Sequence, residues 1–279
     1  MKEFFERESI ELYAYVPLER CKVIKSYLLE KNGFDSSCGA VMMLLPYRSD
    51  IKPKNLSVYA SVRDYHKYVD ELAERFYEYA KSRYGDGKFK LFADHSPIDE
   101  VHAACICGLG FIGRNGLLIN EKYSSFVFLC EIVTNLTEKE LGIPQYVEKE
   151  PRTCINCGAC VRACPSNCMD ERDPRPKTEC MSAITQKKGA LTEEEITKMI
   201  ENSCIWGCDV CQNVCPYTKN ADVTPISYFK EGVITELTTE ILDGMTDEEF
   251  KSRPFSWRGR EVVRRNAMHF CERRVKSEE

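Results

Sequence analysis

No stretch of this 279-residue chain is long and apolar enough to cross a bilayer. An apolar run such as Ala40–Leu45 stops far short of the twenty or so residues that a spanning helix needs. The first residues, Met1-Lys-Glu-Phe-Phe-Glu-Arg7, are charged from the start and hold no apolar secretion core, so export is not expected. Low-complexity tracts and long internal repeats are absent. A large excess of one charge sign is lacking: the net value is −5, which gives no global pull toward nucleic acid. These absences leave a cytoplasmic globular protein with no membrane partner. Hydrophobic residues at 43% and charged residues at 30% supply a core for one large or two modest domains.

Cysteine is what the chain has in excess. There are sixteen, ten of them between positions 154 and 215. Such clustering in a chain expected in a reducing compartment points to metal ligation and not to a disulfide framework. One run reads Cys154-Ile-Asn-Cys157-Gly-Ala-Cys160-Val-Arg-Ala-Cys164-Pro165 and a second Cys208-Asp-Val-Cys211-Gln-Asn-Val-Cys215-Pro216. The two-residue gaps let three thiolates wrap one corner of an iron–sulfur cube. The three-residue gap before proline aims the fourth cysteine at a second cube. Zinc sites rarely repeat that grammar twice, so two 4Fe–4S clusters are expected. Eight ligands are required and the runs supply seven; the eighth lies among Cys168, Cys180 and Cys204.

The preceding residues alternate strand and helix patterns. Residues 1–35 show helical spacing, with Val23, Ile24, Tyr27 and Leu28 expected on one face and Asn32-Gly33 as the stop. Ala40–Tyr47 reads as a buried central strand. A long amphipathic helix is expected from Ser61 to Tyr84 through Tyr65, Val69, Leu72, Phe76 and Tyr79, broken by Gly85-Asp-Gly87. Phe89–Ala93 reads as a strand, Pro97–Cys107 as a helix, and Leu117–Ile119 and Ser124–Thr134 as strands. The alternation predicts an α/β (α+β) layered fold for residues 1–143. A double-cluster domain of ferredoxin type would fill 144–220, opening on a linker with Pro144 and Pro151. A helical C-terminal segment would fill 221–279. Within the cluster domain, residues 191–202 read as a helix capped by Thr192.

Gly108-Leu-Gly110-Phe-Ile-Gly113-Arg-Asn115 fits the glycine spacing of a dinucleotide loop, but it follows a helix and precedes a strand, the reverse of the order that loop requires. Its glycines are expected instead to let backbone approach another flat ligand. Asp94 stands just past a strand end. Alone it reads as either a helix cap or a catalytic carboxylate. Asp64-Tyr-His66 resembles a D-x-H-x-x-G cobalamin box, but Val69 stands in place of the glycine. From Lys251 to Lys276 nine Lys/Arg face two Glu, either a solvated face or a phosphate-contacting patch.

Together these pieces resemble the epoxyqueuosine reductases, cobalamin-dependent iron–sulfur enzymes of tRNA queuosine synthesis. The matching stretches are Leu45-Pro-Tyr47, Asp64-Tyr-His66, Asp94-His-Ser-Pro97, the glycine loop, both cysteine runs, Cys180-Met-Ser182 and Arg265-Asn266. The resemblance implies a cobalamin between the α/β part and the clusters, lined by Asp64, His66, Ser96, Gly110, Gly113, Asn115 and Leu118. It implies one cluster on Cys154, Cys157, Cys160 and Cys215, and another on Cys164, Cys180, Cys208 and Cys211. Asp94 would be the proton donor, its pKa raised by burial beside the corrin. Electrons would come from a low-potential donor of ferredoxin or flavodoxin type, and tRNA would meet the basic C-terminal patch. Arg114 departs from the family's usual lysine, and its C-terminal helical repeats have no counterpart here. Two other readings compete: a corrinoid iron–sulfur reductase of a small organic molecule, and a two-cluster electron carrier without substrate.

Overall fold

The computed structural model describes residues 1–144, 153–169 and 179–278, with side chains through Cys271. The first part of the chain runs α1 (Lys2–Arg7), β1 (Leu12–Pro17), α2 (Ser26–Lys31), β2 (Gly39–Pro46), α3 (Val58–Ser61) and α4 (Tyr65–Arg83). It continues through β3 (Phe89–Phe92), α5 (Glu100–Ile106), β4 (Phe111–Ile112), β5 (Leu118–Ile119), β6 (Val127–Thr134) and α6 (Glu138–Leu141). The cysteine-rich part holds α7 (Ala159–Arg162), α8 (Met181–Thr185), α9 (Glu193–Glu201) and α10 (Val210–Asn213). The chain then passes through α11 (Thr239–Gly244) and α12 (Asp247–Lys251) to α13 (Arg260–Glu278).

Four strands form one antiparallel sheet in the order β1-β2-β6-β3. The apolar run of β2 is buried at every position because both sheet faces are covered. Val41, Met43 and Leu45 enter a core with α1 and α4. Ala40, Met42 and Leu44 enter a second core with α2 and α5. Helix α4 forms where Tyr65, Val69, Leu72 and Phe76 recur at helical spacing, all buried. Asp64 caps it by accepting from the His66 amide at 3.0 Å. Full burial of a side chain such as Leu72 or Phe76 contributes about 1.5–3 kcal/mol.

The strand expected at 40–47 is thus central, and the helix expected at 61–84 is α4. The helical reading of residues 1–35 fails in two places. Leu12–Pro17 is a strand, held by its register on β2. Val23, Ile24 and Tyr27 are exposed, and of the expected face Leu28 alone is buried. The chain before α2 is pinned to the turn after β3 instead, with the Ile24 and Lys25 amides both donating to Pro97 O. After Pro216 the chain is less helical than expected. Residues 219–238 are mostly irregular apart from one short turn, because they thread Ile226, Tyr228 and Phe229 into the core against α4.

The last helices pack across the seam. Leu242, Phe255, Val263 and Ala267 share a core with Leu56, Ala60 and Trp206. Buried Asn266 donates to Thr185 O at 2.7 Å and Ile205 O at 2.8 Å, tying α13 to the cysteine-rich part. The expected linker at 141–152 lies largely outside the described residues.

Candidate active site and cluster cysteines

Asp94 ends β3 in the left-handed region, φ 59°, a conformation that Asp tolerates better than most residues. It does not cap a helix; Asp99 caps α5. The turn throws the Asp94 carboxylate outward, with a side-chain exposure of 71%. Across from it stands His66 at the start of α4. The His66 Nε2 is 3.3 Å from Asp94 Oδ2, and its Nδ1 is 2.9 Å from Asp64 Oδ1. Two residues two apart in one segment and one from about thirty residues on therefore form a carboxylate–imidazole–carboxylate row. Tyr65 hydrogen-bonds Asp94 as well, and its ring stacks on Phe128 at 4.1 Å.

The electrostatics place charge along the row. Hydrogen bonds to Asp64 and then Asp94 lift the His66 pKa to about 10. The same His66 contact holds the Asp94 carboxyl below its ordinary value, and the hydrogen bond from Tyr65 adds to this. Among the protein's own groups the Asp94 carboxylate faces a cation, and that contact outweighs the upward push of burial. The proton of the row resides on His66.

The other residues expected as cofactor contacts lie in the packed interior or in the β4–β5 hairpin. Ser96 is buried and bonds Glu131 at 2.5 Å. Leu118 lies in the core beneath α5. A Cβ on Gly110 would meet Ile119 O at 2.6 Å, and one on Gly113 would meet Asn115 Oδ1 at 2.5 Å. These glycines let the β4–β5 hairpin pack closely on itself. Buried Asn115 turns its side chain to Cys211, hydrogen-bonding the thiol. Sequence reasoning missed Tyr65, Glu100 and Glu131. The last had a visible signal, a lone acid inside the apolar strand Phe126–Val133.

The cysteines gather in two sets. Cys215, after α10, stands within electrostatic reach of Cys154, Cys157 and Cys160. Cys180, at the start of α8, lies within reach of Cys208 and Cys211. It also packs with Cys164, Cys168 and Cys211. Cys164 and Cys168 bring their sulfurs to 3.6 Å. Cys204 is apart: it is buried and donates to Trp206 O at 3.2 Å and Gly207 O at 3.3 Å. Among the described residues no three His, Cys, Asp or Glu side chains close into the tight shell of a single ion; a cube spreads its thiolates more widely.

The expected phosphate patch is largely spoken for. Arg253 donates to Gly232 O at 2.7 Å, Arg264 pairs with Asp243 at 3.0 Å, and Arg265 donates to Lys187 O at 2.8 Å. Arg260 donates to Met245 O at 3.1 Å and lies over the Phe250 ring. Arg258 stacks on Trp257 at 3.9 Å. The side chains of Arg273, Arg274 and Lys276 lie outside those described. Cations that are less committed line a cleft of about 700 Å³ reaching Cys215, among them Lys52 and Lys219.

Residues 153–218 match a family model described as a 4Fe-4S double cluster binding domain. The chain is 31% identical over 212 residues to an epoxyqueuosine reductase of Lactococcus garvieae, covering 74% of this chain and 58% of that one. It therefore spans less than two thirds of that curated relative's length. An epoxyqueuosine reductase solved with an epoxyqueuosine-modified tRNA-Tyr stem loop superposes with a TM-score of 0.74 at 23% identity, over 96% of this chain and 80% of the other. One from Bacillus subtilis, with its catalytic aspartate loop swung out of the active site, superposes at 0.71 and 23% identity, again over 96% and 80%. These structures share the fold.

Proposed function

The chain belongs to the epoxyqueuosine reductase family, and from that premise we propose that it is a cobalamin- and iron–sulfur-dependent reductase converting epoxyqueuosine in tRNA to queuosine. The observation that carries the reading is the row Asp64–His66–Asp94 on an open face, built by residues distant in sequence. One cluster sits on Cys154, Cys157, Cys160 and Cys215, and the other on Cys164, Cys180, Cys208 and Cys211. The two sets of neighbouring thiols support this division.

The donor set at the open face fits a corrinoid. Asp64, His66 and Asp94 offer donors and acceptors for its amide rim, and exposed Ile24 and Tyr27 are tied to the residues just after Asp94, Ile24 by its amide to Pro97 O and Tyr27 by its hydroxyl to His95. Bound there, cobalamin would supply a strongly reducing cobalt fed with single electrons through the clusters. Removing the epoxide oxygen as water takes two electrons and two protons. This chain's part is to hold and place a proton. His66 carries it on Nε2 at neutral pH, beside Asp94 Oδ2, and Asp94 passes it to the departing oxygen. An acidic, low-potential carrier would approach the basic cleft beside Cys215. The reducing cytoplasm suits both the clusters and the substrate.

Anaerobic reconstitution with cobalamin, followed by incubation with an epoxyqueuosine-bearing anticodon stem-loop and mass spectrometry of the RNA, tests the proposal. A corrinoid absorption spectrum with loss of one oxygen from the RNA supports it. A bound corrinoid with untouched RNA points to a small-molecule substrate, and no corrinoid binding points to an electron carrier; either result overturns it.

A further inference from the structure

Behind the Asp94 turn lie two carboxyl groups that the proposed reaction does not use. Glu131 sits in the middle of β6, opposite Met42 and Phe92, with no exposed surface. Its side chain enters the apolar layer formed by Ala40, Met42, Ile98 and Ala103. Glu100 opens α5 directly above, and the two carboxyls face each other. Glu100 Oε1 and Glu131 Oε2 are buried, and neither has a hydrogen-bond donor. Two ionised carboxylates in contact inside an apolar layer would be prohibitively costly. A single proton between them supplies the missing donor and removes one charge.

The pair is wired to the Asp94 turn at two points. Ser96 Oγ bonds Glu131 Oε1 at 2.5 Å while accepting from the Ile98 amide at 3.0 Å. The backbone amide of Asp94 donates to the Glu100 carboxyl. Few other ionisable groups reach the pair. Lys25, before α2, favours the charged form of Glu100, and Asp94 opposes it. The Cys130 and Cys21 thiols feel the pair's charge, and burial keeps both protonated.

We propose that Glu100 and Glu131 share one proton and act as positioning residues, a latch that holds the Asp94 turn in its left-handed conformation. With one proton present, Glu131 is satisfied by Ser96 and Glu100, and Glu100 still accepts the Asp94 amide. When that proton leaves to solvent, two carboxylates repel in an apolar layer, α5 and β6 are pushed apart, and the turn is released. Burial raises both acids, Glu131 most strongly, so the shared proton is retained at neutral pH. The importance of Asp94 rests on the reaction proposed above, but the latch itself is read without turnover.

Infrared spectroscopy of the purified protein is expected to show an un-ionised carboxyl band at neutral pH that is lost in Glu131→Gln. Hydrogen–deuterium exchange of peptides covering residues 89–99 gives the second measurement. In the wild type, protection should fall about tenfold per pH unit beyond the intrinsic base-catalysed rate once the shared proton titrates. Glu131→Gln, whose amide donates permanently to Glu100, should keep that protection flat. Should it fold poorly, Glu100→Gln, which donates to Glu131 and still accepts the Asp94 amide, is expected to behave likewise. No band in the wild type, a band unchanged in Glu131→Gln, or identical exchange profiles in wild type and variant would overturn the latch. If the latch holds but the stem-loop is not reduced, the reaction fails and the positioning device stands.

Discussion

Asp94 and His66 form one unit at the level of the residue. Asp94→Asn preserves the shape of the turn and removes the relay, so clusters and corrinoid binding should survive while turnover falls by about 10²–10⁴-fold, the span usual for a positioned acid. Anaerobic turnover beside iron analysis checks this. The same contact sets a pH dependence of stability. His66 is raised to about 10, so its contribution is complete below the unfolded value of about 6.5 and is lost as pH rises toward 10. Asp94 is lowered, so its contribution is present above about 3.9 and is lost as pH falls below that. The difference in melting temperature between wild type and His66→Gln should therefore be greatest between about pH 4 and 6.5 and should close near pH 10. A difference that grew through pH 10 would show that His66 is not the charged partner. Among the cysteines, Cys180→Ala should lose or convert one cluster, whereas Cys204→Ala should keep both, because its thiol is engaged by backbone groups, donating to Trp206 O and Gly207 O. Iron and sulfide of about eight each per chain in the wild type set the reference.

Short elements carry the proposed cluster ligands, and their neighbours hold them still. Helix α9 begins with a capping box between Thr192 and Glu195, and its Ile196 and Met199 pack on Met181 and Ile184 of α8, directly after Cys180. Thr192→Ala should cost about 1 kcal/mol and lower the denaturant midpoint of the cysteine-rich part, with a broadened electron paramagnetic signal from the cluster that uses Cys180. The β4–β5 hairpin does the corresponding work for Cys211. Gly113→Ala would press on Asn115 Oδ1 at 2.5 Å and Ile119 Cδ1 at 2.6 Å, displacing the amide that bonds the Cys211 thiol. A destabilisation of about 1–3 kcal/mol is expected, with the cluster signal altered while cobalamin absorption is retained.

For the molecule as a whole, charge placement decides how the proposed RNA substrate would be met. The net charge is −5, and the arginines of 253–265 are committed to carbonyls, an aspartate and aromatic rings. Each phosphate contact steepens the salt dependence by about 0.7–0.9 log units per decade, and strong binders make about six to ten. Filter binding of the anticodon stem-loop should therefore show weak affinity and a shallow slope, equivalent to about two to four contacts. A slope of strong-binder size would mean that a cationic surface elsewhere on the chain takes the RNA.

The sequence by itself determined the cluster chemistry and the main periodic elements. Ligand spacing such as Cys154-x-x-Cys157-x-x-Cys160 is local, so a few consecutive residues impose it whatever lies elsewhere. The apolar run of β2 and the helical spacing of α4 are local in the same sense. Tertiary structure alone decided the rest, because hydrogen-bond partners and burial are set by segments far apart in the chain. It joined Asp64 and His66 to Asp94 and thereby set the Asp94 carboxyl below its ordinary value. It left Val23, Ile24 and Tyr27 exposed by tying the chain before α2 to Pro97. It turned Ser96, Asn115 and Leu118 inward and used the C-terminal arginines to fasten helices. Glu131 shows the boundary best. Its acid was visible in an apolar strand, but the Glu100 that faces it comes from the helix packed above, and only the fold brings the two within reach of one proton.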